Sequence, residues 1–379
     1  MSETHLHIIS FDIPYPANYG GVIDVFYKLK ALHAAGVRIH LHCFQYHREP
    51  AKELSEYCFE VNYYTRRTGF LSALSWMPYI VYSRRSGDLL KNLCKDDHPI
   101  LFEGIHSCYY LSHRSLRKRI KIYRESNIEH QYYYHLFKAE KNLFKKLYFL
   151  ISGLKLRAFQ HKLAHSSLML TVSREDNEYL ASKFQKVRVR YLPSFHRDDD
   201  ISVETGKGDY ILYQGNLSVA ENRKAAEFLI SEVLAGSDIK LIVAGLNPPD
   251  SLVRIAGKHG NVTLIPNPSE EKMTGLIKNA HINMMVTFQP TGLKLKILNA
   301  LFNGRFCLVN HNMVKGTELA GICEIADTPE SLRQKAGELM KLPFTEKMAI
   351  ERKQVLMQWH SNRENCKMLI DLLSLLSDK

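Results

Sequence analysis

The chain has 379 residues but only seven cysteines, at 43, 58, 94, 108, 307, 323 and 366, and no two of them form a C-x-x-C pair. An odd, scattered set argues against a disulfide framework or a zinc cluster and fits a reducing cytoplasm. No apolar run reaches the ~18 residues that a membrane-spanning helix needs. The opening "MSETHLHIISFDIP" lacks a basic region followed by an apolar core, so it reads as a first strand rather than a secretory signal. No internal repeat and no low-complexity tract stands out. Acids are missing altogether from "TFQPTGLKLKILNALFNGRFCLVN", residues 287–310. They are scarce between Arg114 and Lys162, where 13 Lys/Arg face three acids, Glu125, Glu129 and Glu140. That one stretch carries ten of the twelve net positive charges.

What is present is the composition of a globular protein, with 45% hydrophobic and 24% charged residues. The length suggests two domains of roughly 150–200 residues each. Short β-rich runs alternate with helical periods throughout. In the first half these are "HLHIISFDI", "RIHLHCFQY", "EVNYYT", "ILFEGI", "IKIYRES", "LMLTVS" and "VRVRYLP". "YILYQGN", "IKLIVAG", "VTLIPN", "INMMVTF", "RFCLVN" and "CEIAD" follow in the second. Strands alternating with helices make parallel sheets covered on both faces. The polar, aperiodic segment 194–209 is the natural boundary. The expected fold class is therefore α/β, with two doubly wound Rossmann-like domains facing a central cleft. Residues 1–195 and 209–345 would form the domains, and 346–379 a C-terminal helix crossing back to the first.

The basic stretch interleaves aromatics and leucines: "NLFKKLYFLISGLKLRAFQHKLAH". Leu143, Leu147, Leu150, Leu154 and Phe159 follow a helical stripe with lysines beside it. The plainest reading is a basic, solvated helix whose stripe faces a core. The sharper one is a surface for anionic lipid headgroups formed within residues 114–162. Nucleic acid is disfavoured, because no nucleic-acid motif accompanies the charge.

Three stretches carry chemistry. In "DIPYPANYGGVIDVFYKLKALHAAG" a turn leads to Gly20-Gly21, which opens a helix; paired glycines let a ligand approach the backbone, and the free N–H groups favour an anion. In "YILYQGNLSVAENRKAAEF" a strand ends near Gly215. The loop after it delivers Asn222, a plausible N-cap, followed by Arg223 and Lys224, either of which suits a phosphate or an exposed face. In the acid-free stretch, Thr291-Gly292 precedes a helix whose first turn holds Lys294 and Lys296. Cations there oppose the helix dipole by a few tenths to ~1 kcal/mol, which a bound anion would reverse.

Read in order, these pieces resemble the retaining nucleotide-sugar glycosyltransferases of family 4, which have the two-domain GT-B fold. The resemblance rests on the Gly20-Gly21 loop, "LTVSREDNEYL" and "YILYQGNLS…N", then "IKLIVAG", "NVTLIPNPSEEKMTGLIKNAHINMMV" and "TGLKLKILNALFNGRFCLVN". It spans nearly the whole chain and is most specific over residues 209–310. It implies that the Gly21 loop, Lys294 and Lys296 hold a donor diphosphate. Gly215 and Asn216 would line the facing loop, Pro266-Asn267 would sit beside the base, and Thr291 and Gly292 would offer backbone N–H groups. Cationic side chains then do what a metal does elsewhere, so no metal and no cofactor is expected.

The chain departs from the family where two glutamates usually stand eight residues apart; here the positions hold Thr291 and Asn299. Asn299 can still hydrogen-bond a ribose, without charge. The family also sets a His or acid of the first domain beside the sugar. The candidates are Glu103 and His106 in "ILFEGIHSCYY", and Arg124, Glu125, Asn127, Glu129 and His130 in "IYRESNIEHQYYY". Glu103, His106, Glu129 and His130 are the ones assigned a catalytic role. A metal-dependent GT-A enzyme would need Asp-x-Asp after a strand, and the only such spacing, Asp198-Asp199-Asp200, lies in the boundary segment.

The expectation is a cytoplasmic, metal-independent glycosyltransferase passing a sugar from a nucleotide-diphosphate donor to a glycan or lipid-linked glycan, with retention. Attachment to the inner face of a membrane follows if the basic stretch docks there. Two rivals have distinct signatures. A sugar-nucleotide epimerase or hydrolase consumes donor without acceptor, and a non-catalytic glycan- or nucleotide-binding protein binds donor without turnover.

Overall fold

The computed structural model describes residues 4–69, 75–288 and 295–377. They divide into two compact units, Met1–Phe195 with Asn362–Lys379, and His196–Ser361.

The first unit holds seven parallel strands: β1 (His5–Ser10), β2 (Arg38–Gln45), β3 (Glu60–Thr65), β4 (Ile100–Glu103), β5 (Lys121–Glu125), β6 (Leu168–Thr171) and β7 (Arg188–Tyr191). Their spatial order is β3-β2-β1-β4-β5-β6-β7. Side chains alternate across each strand, so β1 sends Leu6 and Ile8 into one core and Ile9 into the other. Burial on both faces explains why the inner strands β1, β4 and β6 read as nearly continuous apolar runs, whereas the edge strands β3 and β7 are partly exposed.

The second unit is a six-stranded parallel sheet: β8 (Ile211–Asn216), β9 (Leu241–Leu246), β10 (Val262–Pro266), β11 (Ile282–Met285), β12 (Phe306–Val309) and β13 (Glu324–Ile325), ordered β10-β9-β8-β11-β12-β13. The β8–β9 pair approaches so closely that a Cβ on Gly245 would sit 1.8 Å from the Gly215 carbonyl oxygen. Only glycine fits there.

The polar segment 194–209 is not a free tether. Ser194 and Phe195 are buried in the first unit. Within the second, Ser202 N–H donates to Phe302 O (2.8 Å) and Gly206 N–H to Phe344 O (2.8 Å). The tail forms two helices. Glu346–Trp359 belongs to the second unit, where buried Arg352 caps the carbonyls of Gly304 (2.6 Å) and Arg305 (2.5 Å). Asn362–Ser377 belongs to the first, adding Cys366, Leu369, Leu372 and Leu373 to its core.

Candidate functional site

In each sheet the chain reverses direction once, between β1 and β4 in the first unit and between β8 and β11 in the second. Open α/β sheets bind ligands at the carboxyl ends of the strands beside such a reversal. The residues with chemistry gather at both reversals.

In the first unit the loop after β1 leads into the helix Gly20–Ala34, whose first residue follows Tyr19 in extended conformation. Gly20 has open space around it, but a Cβ at Gly21 would come within 2.6 Å of Phe11 Cζ. The loop is held by Arg48, which donates to Ile13 O (2.7 Å), Pro16 O (2.5 Å) and Asn18 Oδ1 (2.6 Å). Tyr19 OH donates to Asp12 Oδ2 at 2.8 Å.

Beside Phe11 stands His106, with ring centroids 5.2 Å apart. Gly104, at φ +68°, makes the left-handed turn after β4 that brings it there. Burial holds the His106 imidazole well below its ordinary pKa, and Arg84 and Arg66 push it further down. Its Nδ1 is buried without a hydrogen-bond partner among the described residues, as is Asn127 Oδ1 in the loop after β5. Orphaned buried polar atoms of this kind are what a bound ligand satisfies.

Arg84 is a buried guanidinium that donates to two carbonyls, Phe11 O (2.7 Å) and Ile80 O (2.6 Å). Among the described residues no carboxylate stands within ion-pair distance of it. Burial lowers its pKa to about 9, with Arg66 adding to the fall. Glu129 opens the helix Glu129–Ala139; burial raises its carboxyl to about 7, against the pull of Arg84. A carboxyl titrating near neutrality, a neutral imidazole and a buried guanidinium suit proton transfer beside an anionic substrate.

The four catalytic candidates do not stand together. Glu103 is committed to a buried ion network: Lys28 Nζ bonds Glu103 Oε1 (2.6 Å) and Asp24 Oδ2 (3.0 Å), and Arg124 reaches Asp24 Oδ1 (3.3 Å), Leu192 O (2.5 Å) and Pro193 O (3.0 Å). Burial alone would lift the Asp24 carboxyl, yet Arg124 and Lys28 hold it at about 2. This network ties β4, β5 and the Gly20–Ala34 helix together and is architectural. His130 points elsewhere than Glu129, toward Tyr179, whose hydroxyl lies 3.5 Å from His130 Nε2. Burial, then Lys183 and Arg157, lower its pKa to about 4. Glu125 accepts from Tyr123 OH (2.6 Å) and Asn127 N–H (3.3 Å), and burial drives its pKa well up.

In the second unit β8 ends at Gly215-Asn216, and the helix Ala220–Phe228 follows. Asn222 is not its N-cap; Val219 holds that position. Asn222 lies one turn in and bridges instead, with Nδ2 donating to Asn216 O (3.0 Å) and Oδ1 accepting from Lys296 Nζ (3.2 Å). Gly215 permits this, since a Cβ there would lie 3.2 Å from Asn222 Cγ. Lys296 also stands 5.0 Å over the Tyr213 ring, whose hydroxyl donates to Asn222 O (2.9 Å). Lys296 is thus held at the end of β8.

Across the reversal, Thr287 Oγ1 donates to Glu221 Oε1, and Asn310 pins the Thr287 backbone at 3.0 and 2.7 Å. Lys224 lies 4.3 Å over the Phe288 ring. Arg223 is half-buried in the same helix. At the ends of β9 and β10, Asn267 takes a left-handed conformation (φ 48°) after Pro266; its N–H donates to Gly245 O (2.8 Å) and its Oδ1 accepts from Asn247 N–H (2.7 Å). Thr291, Gly292 and Lys294 lie outside the described residues. Asn299 is in the helix Leu295–Asn303, and its Oδ1 accepts from Asn303 Nδ2 at 3.0 Å, one turn on. Asn303 also bonds Asp198 Oδ1 (2.9 Å), and Asp200 pairs with Lys353 (2.8 Å), so the triple aspartate serves packing. Sequence reasoning missed Arg84, Arg66 and Glu221. "YSRRSG" around Arg84 and "TRRTG" around Arg66 have no periodic signal, and Glu221 sits in a polar loop-to-helix stretch that marks no single residue.

Two parallel-sheet, Rossmann-like units are the architecture of GT-B glycosyltransferases, and solved structures of that class match this chain almost end to end. One is the UDP-forming α,α-trehalose-phosphate synthase of Burkholderia xenovorans in complex with glucose-6-phosphate, covering 99% of this chain and 100% of its own at TM-score 0.62 and 11% identity. Another is HepE of Anabaena in complex with UDP and glucose, at 98% and 100% coverage, TM-score 0.64 and 10% identity. Such identities carry the fold alone. In sequence, the chain is 28% identical over 335 residues to an uncharacterized 44.6 kDa protein in the cps region of Klebsiella pneumoniae, covering 82% of this chain and 84% of that protein. No protein-family description matches the sequence.

Proposed function

We propose that the chain is a retaining glycosyltransferase that moves a sugar from a nucleotide-diphosphate donor to a glycan or lipid-linked glycan acceptor in cell-surface polysaccharide synthesis. The observation that carries this is the placement of Lys296, braced by Asn222 and Tyr213 at the strand reversal of the second unit. A fixed cation at such a strand reversal stabilises the diphosphate that leaves, with Thr291, Gly292 and Lys294, which lie outside the described residues, assigned to the same task. The HepE structure with UDP and glucose supports this ligand class, and the cps-region relative supports the pathway. In the first unit, Glu129 is assigned the proton chemistry and Arg84 the anionic part of the substrate. His106 is assigned a hydrogen bond to the sugar through its unpartnered Nδ1.

The acceptor is placed at a membrane surface on the cytoplasmic side. In the helix Leu143–Phe159, Leu143, Phe144, Leu147, Tyr148, Ile151 and Leu154 are all exposed, Leu143 by 78% and Phe144 by 87%. At about 100° per residue they fall within an arc of about 140°. Lys145 flanks one margin, with Lys155 just inside it, and Lys146 and Arg157 flank the other. Lys155 donates to Ser75 O (2.7 Å), next to Trp76, which is 95% exposed. The stripe therefore faces solvent and not a core. Apolar arcs with basic margins and an edge tryptophan suit an anionic bilayer interface. Among the described residues no helix is long and apolar enough to cross a membrane.

The reading is tested with labelled nucleotide sugars and a lipid-linked acceptor, followed by NMR of the new anomeric centre. Acceptor-dependent transfer with retention, persisting in EDTA, is expected. Donor breakdown without acceptor, or inversion, would overturn it. Flotation with phosphatidylglycerol vesicles at low salt tests the docking: wild type should bind, and a Phe144→Glu, Leu147→Glu chain should not.

A further inference from the structure

Five histidines stack along the amino-terminal edge of the first sheet, away from the carboxyl ends of the strands beside the reversal. His5 and His7 lie on β1, His40 and His42 on β2, and His98 in the turn before β4. They divide into two groups. His7 and His42 use both ring nitrogens: His7 Nδ1 and His42 Nε2 are 2.8 Å apart, His7 Nε2 meets Asp96 Oδ1 at 3.0 Å, and His42 Nδ1 meets Tyr64 OH at 2.8 Å. That rung is structural.

The other rung has the features of a metal site. His5, His40 and His98 each offer a ring nitrogen within 4.8 Å of the others. His40 Nδ1 lies 2.9 Å from Glu60 Oε1, which fixes the proton on that nitrogen and leaves Nε2 to accept from His5 Nδ1–H, also 2.9 Å away, a proton that a bound ion would replace. A carboxylate behind a histidine is the arrangement that orients metal-bound imidazoles. Two imidazoles sharing a tetrahedral ion at ~2.0–2.1 Å have nitrogens about 3.3 Å apart, so His5 and His40 already stand near ligand spacing. His98 is presented by a fixed turn: its N–H donates to Asp96 Oδ1 (3.0 Å), and Asp96 pairs with Arg119 (3.1 Å). Its half-buried ring stacks on His5, with centroids 4.5 Å apart.

We propose that His5, His40 and His98 bind a divalent transition-metal ion of the zinc class, with Glu60 as the positioning residue. Three imidazoles suit Zn2+, Co2+ or Ni2+ and leave a further position for water. The ion joins β1, β2 and the turn before β4, so its role is to clip the sheet edge, separate from the sugar chemistry.

The test uses the full chain stripped by chelator and titrated with Co2+ or Zn2+ alone. Wild type should take up one Co2+ with the visible absorption of a site containing imidazoles, and Zn2+ should displace it and raise the Tm. His98→Ala should abolish the absorption, and Glu60→Gln, at a half-exposed position, should weaken binding about 10- to 100-fold. His33→Ala, an exposed histidine elsewhere in the same unit, should change nothing. Circular dichroism checks that each variant is folded. Less than half an equivalent of Co2+ in wild type, or equal affinity in the folded Glu60→Gln and His33→Ala chains, would overturn the proposal.

Discussion

The two strand reversals solve different problems. In the first unit the reversal gathers groups whose ionisation burial disturbs: Glu129 near 7, Arg84 near 9, His106 well below its usual value. In the second, the polar groups are paired with one another, Asn222 with Lys296 and Glu221 with Thr287. The first arrangement adjusts where protons reside; the second fixes where charge is held. The same sheet topology supplies a platform for each.

The steepest way to break the comparison is through glycine. Gly245→Ala drives a Cβ into the Gly215 carbonyl, backbone against backbone, so the second unit should lose several kcal/mol of stability or fail to fold. Gly21→Ala meets only the Phe11 ring, which can shift toward His106, so the first unit should stay folded while turnover falls. Urea denaturation beside activity separates the two outcomes. Next in size, Lys296→Ala should weaken donor affinity roughly ten- to hundredfold with little loss of stability, because a charge-assisted contact contributes about 1.5–3 kcal/mol.

Glu129→Gln should remove a limb near pH 7 from the pH–rate profile. Its stability effect has a definite sign. The folded carboxyl, at about 7, keeps its proton where the unfolded one, near 4.5, has lost it. Unfolding is therefore favoured as pH rises from about 4.5 to about 7. The Gln variant should be spared that decline, which paired denaturation curves at pH 5 and pH 7.5 would show. The smallest effect is expected, through donor KM alone, from Arg223→Ala, a half-buried helix residue with no side-chain hydrogen bond among the described residues.

Every strand of both sheets was legible: the inner strands β1, β4, β6, β11 and β12 leave short apolar runs, and the edge strands β3, β7 and β10 show as short β-rich runs between helical periods. In the sequence Gly215 marks the end of β8, while Gly21 and Lys296 mark the first turns of helices that follow strands. Periodicity locates a stripe but does not say which side of it meets water. Leu143, Leu147 and Leu154 fit a core-facing helix as well as the solvent-facing one observed. Arg84 was invisible because its partners are the carbonyls of Phe11 and Ile80, which no side-chain pattern reports. Glu103 looked catalytic from its place at a strand end, whereas Lys28, one turn after Asp24 on a distant helix, claims it.

The central claim is that the second unit holds a nucleoside diphosphate on Lys296. Thermal shift of wild type and Lys296→Ala with GDP, UDP and ADP tests it most directly, since a ligand at a hundred times its Kd stabilises the folded state by about 2.7 kcal/mol. One of the three nucleotides should raise the wild-type Tm by several degrees and leave the variant nearly unmoved at the same concentration. No shift with any of them, or an equal shift in the variant, would contradict the account.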